Sequence, residues 1–216
     1  MKRILYLSQL AEPDQRRAMA MRDEADTVPA AFEAAGAKAD VLDVTVALPP
    51  DPHSFDGVVI GGSRGSVHDP QPWRRRLREW VQAHGDVPML GICGGHQLVA
   101  HVNGARVERL ALPQFGVYPL DLPDVQGFHG RVVQVHEEHV VDVPPGAELW
   151  ARDETCLQAL RYPGHRWGVQ FHPEFSEDVA HAIGATFGPS PLWSDEAIAA
   201  GVASGRALLA RWLEGL

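Results

Sequence analysis

In the first half of the chain, short unbroken apolar runs alternate with longer stretches in which apolar residues recur at helical spacing. Lys2 to Ser8 reads as a first strand. Thr27 to Ala37, alanine-rich with Pro29 near its start and Gly36 at its end, reads as a helix. Ala39 to Val44 is expected as a second strand, followed by a Pro-rich loop from Leu48 to Pro52. Phe55 to Ile60 forms a third strand that runs into Gly61-Gly62-Ser63-Arg64-Gly65-Ser66. From Gln71 to His84, the residues Trp73, Leu77, Trp80 and Val81 recur at helical spacing. Val87 to Ile92 is a further apolar run, and after Cys93 an apolar-periodic helix begins at once. Such alternation predicts a parallel sheet with helices on both faces.

After Asn103-Gly104 the texture changes to short alternating segments rich in Gly and Pro: Ala105 to Leu112, Gly116 to Leu122 and Arg131 to His136. These are expected as hairpin or meander additions at the sheet edge. Glu148 to Ala151, Leu157 to Tyr162 and Trp167 to Phe171 are further strands, and Ser194 caps a last helix with Asp195 and Glu196 in its first turn. The expected fold is α/β and three-layered: a mainly parallel central sheet, flanking helices and added antiparallel strands, with residues 1–216 as one domain.

Composition narrows the function. A net charge of −9 argues against nonspecific nucleic-acid binding, which needs a basic surface. No apolar run approaches the roughly 20 residues of a membrane span, and the stretch from Ile4 to Leu10, ahead of Glu12 and Asp14, is too short for a signal peptide. Two cysteines, Cys93 and Cys156, make no disulfide framework, which with a reactive thiol points to a cytoplasmic protein. His136 and His139 have no third ligand at metal-binding spacing, so neither metal nor cofactor is expected. The arginines 74, 75, 76 and 78 on the predicted helix read as a solvated face.

Cys93 lies between Gly91 and the pair Gly94-Gly95, where a strand turns sharply into a helix. Such an elbow lifts the side chain above the sheet, and the helix N-terminus favours thiolate over thiol. The alternative is a buried cysteine acting as a small hydrophobe. Cys156 has no glycine turn and is expected in the core. His172, preceding Pro173, projects from a strand end, and Glu174 can return to its other ring nitrogen. Taken alone, the two would be an ordinary surface pair.

Gly91-Ile92-Cys93-Gly94-Gly95-His96-Gln97 resembles the G-x-C-x-G-x-Q signature of the class I (triad) glutamine amidotransferases, and Gly168-Val169-Gln170-Phe171-His172-Pro173-Glu174 resembles their G-x-Q-x-H-P-E motif. The resemblance runs from the first strand to about Ser176 and implies a flavodoxin-like fold. It implies Cys93 as nucleophile, His172 as general base then acid, and Glu174 as its orienter. Gly61-Gly62-Ser63 resembles the oxyanion loop, with Ser63 where proline is usual, so the Gly62 and Gly94 amides are the expected oxyanion donors. Gly61, Gln97, His136, Glu137 and Glu138 fall at substrate-binding positions. In the loop Val135-His136-Glu137-Glu138-His139-Val140 the family pattern is S-H-G-D-x-V, so Glu137 replaces glycine and Val135 serine.

The implied reaction is hydrolysis of the γ-amide of glutamine or a γ-glutamyl compound through a γ-glutamyl thioester. Ammonia would pass to an acceptor site on a separate synthetase chain. The alternatives are a γ-glutamyl peptidase and a non-catalytic regulatory module on the same fold.

Overall fold

A computed structural model describes residues 1–10 and 24–216. Glu12 and Asp14 therefore lie outside the described residues. The elements are strands β1 (Lys2–Ser8), β2 (Ala37–Asp43), β3 (Gly57–Ile60), β4 (Met89–Ile92), β5 (Val107–Pro119), β6 (Arg131–Val140), β7 (Glu148–Arg152), β8 (Leu157–Tyr162) and β9 (Arg166–Val169). The helices are α1 (Glu24–Ala34), α2 (Pro72–Ala83), α3 (Gly94–Val102), α4 (Glu177–Phe187) and α5 (Asp195–Glu214). The main sheet has the order β2-β1-β3-β4-β9-β8-β7. Its first five strands are parallel, and β8 and β7 add antiparallel at one edge. This is the expected mainly parallel α/β sheet with added antiparallel strands.

The apolar runs are unbroken because both faces of the sheet are covered, so successive side chains enter different cores. In β1, Ile4 and Tyr6 pack with Phe32 of α1 and Leu208 and Trp212 of α5. Leu5 and Leu7 pack on the other face with Leu77 and Val81 of α2 and Leu98 and Val99 of α3. Strand order reverses direction at β1, which lies between β2 and β3. Ligands of open α/β sheets bind beyond the carboxyl ends of the strands near such a switch. The ends of β3, β4 and β9 all open there.

Three expectations change. First, α1 begins at Glu24, so Pro29 sits inside the helix rather than near its start. Second, β5 and β6 are not edge strands of the main sheet. They form a separate antiparallel pair, with Val117 and Val133 buried against Val179 and Ile183 of α4 and Ile198 and Val202 of α5. The segments read as two strands, Ala105 to Leu112 and Gly116 to Leu122, are one long β5 whose register breaks between Arg109 and Gln114. Pro113 falls in that break, and it has no N–H to donate to the ladder. Third, α4 has no counterpart among the expected elements. Its signals are local: the Ser176 hydroxyl accepts from the Val179 amide, and Glu177 and Asp178 occupy the first turn.

Candidate active site

Cys93 stands between β4 and α3 with φ 49° and ψ −107°, outside the ordinary regions for a side-chain-bearing residue. Backbone of this kind stores on the order of 1–3 kcal/mol and persists only where its surroundings over-determine it. Here they do. The Cys93 amide donates to the Val169 carbonyl at 2.8 Å, and its carbonyl accepts from the Gln97 amide at 3.0 Å. A methyl group on Gly91 would lie 2.7 Å from the Gly95 backbone, and one on Gly95 would strike the Ile60 carbonyl. The glycines are therefore demanded by main chain packed against main chain, and the elbow cannot relax.

β9 continues through Gln170 and Phe171 to His172, whose amide donates to the Val133 carbonyl of β6 at 2.9 Å. The His172 Nδ1 meets Glu174 Oε1 at 2.8 Å, both residues being buried. Burial opposes a charge on this ring, but the Glu174 carboxylate and then the Cys93 sulfur outweigh it and hold the His172 pKa well above its ordinary value. With Nδ1 committed to Glu174, Nε2 is the nitrogen left for chemistry. Residues distant in sequence thus converge as expected: Cys93, His172 and Glu174 line one cavity of about 540 Å³.

The Gly61-Gly62-Ser63 loop closes the other side. A Cβ on Gly62 would sit 3.1 Å from His172 Cε1 and 3.8 Å from Cys93 Cβ, which places its backbone against both Cys93 and His172. Gly94 is the first residue of α3, where N–H groups lack intrahelical acceptors, and a Cβ there would lie 2.7 Å from the Ser63 amide. Gln9 Nε2 donates to the Gly61 carbonyl at 2.7 Å, and the Gly61 amide donates to the Leu7 carbonyl at 3.0 Å. Both bonds fix the loop from behind.

A family model described as glutamine amidotransferase class-I matches residues 26–183. The chain belongs to that family. It is 36% identical over 134 residues to a subunit of the glutamine-hydrolyzing GMP synthase of Ignicoccus hospitalis, a match that covers 58% of this chain and 70% of that one. It is 32% identical over 161 residues to gamma-glutamyl-L-1-hydroxyisopropylamide hydrolase of a Pseudomonas species, covering 61% of this chain and 54% of the relative. Against aminodeoxychorismate synthase of Streptomyces griseus the identity is 38% over 133 residues, covering 56% of this chain and only 18% of the relative. Among solved structures, a glutamine amidotransferase from Thermotoga maritima superposes with a TM-score of 0.75 at 24% identity over 99% of this chain and 98% of that one, a shared fold.

The positions expected at the substrate end of this amidotransferase-family chain gather at the same cavity. Gln97, His136, Glu137 and Glu138 all line it, and Gly61 lies just behind its wall. Gln97 Nε2 donates to the Glu138 carbonyl at 2.7 Å, and His136 Nδ1 lies 3.0 Å from the same oxygen. Burial pushes the His136 pKa down to about 4, which favours the neutral ring. Glu137 is already engaged: its carboxylate pairs with Arg109 across the hairpin at the rim.

Four residues around this site had no active-site role in the sequence reading. Gln170 Nε2 donates towards Cys93 Sγ at 3.6 Å from the buried strand end. Its spacing of two from His172 was the available signal, because i and i+2 share a face in extended chain. Arg74 departs from the solvated-face expectation: it is buried, donates to Ser63 Oγ at 2.8 Å and faces Asp69. Arg78 likewise turns inward to the Val67 carbonyl, so the i, i+4 pair shares the face of Leu77 and Val81. Arg109 was invisible because its partner comes from another strand. Cys156 is buried as expected, and burial pushes its thiol up to about 12. Among the described residues no helix is long and apolar enough to cross a membrane, and no three His, Cys, Asp or Glu side chains gather as metal ligands.

Proposed function

We propose that the chain hydrolyses the γ-amide of glutamine or of a γ-glutamyl amide through a thioester on Cys93. The observation that carries this reading is the line from Glu174 through His172 to Cys93, against a glycine loop whose backbone lies beside both His172 and Cys93. His172, with its raised pKa, already holds the thiol proton as imidazolium, and the Cys93 thiolate attacks the γ-carbonyl carbon. The C–S bond forms and charge gathers on the oxygen beside the Gly62 and Gly94 amides. The C–N bond then breaks as His172 gives that proton to the departing nitrogen. Water, deprotonated by His172, adds to the thioester; the C–S bond breaks, the sulfur recovers its proton and glutamate leaves. Gln170 keeps the sulfur in place and stabilises it as thiolate, and Arg74 holds Ser63 so that the oxyanion loop keeps its position. The chemistry needs a reduced thiol, which fits the cytoplasm.

Two uses of the released nitrogen follow. Relatives named as subunits of GMP synthase support delivery of ammonia to a synthetase on another chain. Relatives named as a γ-glutamylamide hydrolase and a γ-glutamyl peptidase, together with a cavity well beyond the size of glutamine, support an amine leaving group. A non-catalytic module remains the opposing reading. The test is release of ammonia from glutamine and of amine from γ-glutamyl amides by the wild type and by Cys93→Ala. Turnover by the wild type and none by the variant is expected. A folded wild type that turns over neither substrate would support the non-catalytic module instead.

A further inference from the structure

Four groups surround the carbon of the tetrahedral intermediate: the Cys93 sulfur, the oxyanion, the departing nitrogen and the glutamyl chain. Two directions are set by the site, since the oxyanion lies with Gly62 and Gly94 and the nitrogen must lie where His172 can protonate it. The leaving group therefore extends along the His172 side of the cavity. That side is apolar. The His172 ring stacks on Phe175, with centroids 4.2 Å apart and planes at 14°. Beyond it the wall continues through Ile183 to Phe115 and Phe187, which stack on each other at 4.6 Å and 17°. Phe187 is 48% exposed at the end of α4, and Phe115 is half-buried on β5. Arg64, Asp69, Arg109, Glu137 and Glu138 also line the cavity, so it offers charges suited to a zwitterionic amino-acid end as well as aromatic surface that a bare ammonia has no use for.

We propose that the leaving group is an apolar amine, an alkyl or aryl amine or the nitrogen of a hydrophobic residue, seated against Phe115, Ile183 and Phe187. The proposal rests on the hydrolase reading above and names its substrate class. A face of an aromatic group stacked on Phe187 would raise kcat/KM by about tenfold, because such ring pairs contribute roughly 0.5–1.5 kcal/mol.

The experiment measures kcat/KM of the wild type for γ-glutamyl-phenylethylamide, γ-glutamyl-methylamide and glutamine, then the phenylethyl-to-methyl ratio in Phe187→Ala and Phe115→Ala. A wild-type ratio of about ten that collapses towards one in both variants is expected. A wild-type ratio of one or less, or a ratio that neither variant changes, overturns the proposal and leaves the aromatic wall to another chain. Glutamine or methylamide turnover without aromatic preference sinks this inference alone. Failure to hydrolyse any of the three sinks the hydrolase reading and this proposal with it.

Discussion

The two walls of the cavity are specified in different ways. On the sulfur side, β3, β4 and β9 bring backbone against backbone, and three glycines at 91, 94 and 95 stand where any side chain would collide with main chain. On the rim side, the β5–β6 hairpin and the end of α4 present Arg109, Phe115, Glu137 and Phe187, all at least partly exposed. The first wall fixes the geometry of attack and admits almost no substitution. The second touches only what the substrate carries beyond the reacting carbon, so it can be rewritten without disturbing the elbow. A change on the sulfur wall should therefore depress every substrate together, whereas a change on the rim should alter ratios between substrates.

The strongest test of that contrast is His172→Ala, which removes both proton transfers. We expect kcat to fall by about 10⁵-fold or more on glutamine and γ-glutamyl amides alike, as when a catalytic base is deleted elsewhere. Glu174→Gln should cost about 10³-fold and leave a measurable rate, because an orienting carboxylate fixes a tautomer without moving a proton. Steady-state kinetics with both substrate types would contradict the contrast if either variant changed their ratio by more than about threefold.

A smaller effect is expected from Gly94→Ala. The added methyl would press on the Ser63 amide at 2.7 Å and shift the oxyanion loop, lowering kcat by about 10²-fold on all substrates. Retention of full activity would show that the loop does not need its close approach to α3.

Stability should report the buried imidazoles separately from activity. Burial, with the neighbouring His136 charge, holds the His96 pKa at about 3, and burial holds that of His136 at about 4. Both lie below the unfolded value of about 6.5. The unfolded chain thus binds more protons than the folded one once pH drops under 6.5, and stability is lost as pH falls through the folded pKa values. Above 6.5 both states are neutral there and these rings contribute no slope. His172 behaves oppositely: its raised pKa stabilises the fold below about pH 6.5, and that share is lost as pH rises through the higher folded value. Urea unfolding should lose about 3–5 kcal/mol per depressed imidazole between pH 6.5 and the folded pKa. His136→Gln should show a shallower acid slope, and an unchanged slope would contradict the burial account.

The mildest effect belongs to the rim. A γ-linked glutamyl group keeps a free α-ammonium and α-carboxylate, and the Glu137–Arg109 pair offers the complementary charges. Glu137→Gln should lower the preference for a γ-glutamyl amide over the matching glutaryl amide, which lacks the ammonium, by roughly tenfold. Glu138→Gln is the control. Equal loss on both compounds would indicate a loop effect, and no loss would mean that Glu137 serves only Arg109.

How much was legible follows the same division. The Cys93 elbow, His172, Glu174 and the Gly62 loop can be read from the chain because close backbone approach leaves glycine, and strand ends leave a fixed projection, as local marks in sequence. The alternation of runs likewise discloses a parallel sheet covered on both faces. Arg74, Arg109 and Phe187 leave no such mark: each acquires its role from a partner distant in sequence, Ser63 for the first, Glu137 for the second and Phe115 for the third. The place of β5 and β6 was also hidden, since alternation reveals that a strand has one buried face but not which element buries it. Helix α4 was readable in principle from Ser176-Glu177-Asp178.

The central claim is that Cys93, and not the equally buried Cys156, carries the acyl group. Rapid acid quenching of the enzyme during turnover of a γ-glutamyl amide, followed by peptide mass mapping, observes this directly. A γ-glutamyl adduct on the Cys93 peptide, absent from Cys156 and abolished in Cys93→Ala, is the predicted result. An adduct on Cys156, or full turnover by Cys93→Ala, would contradict it.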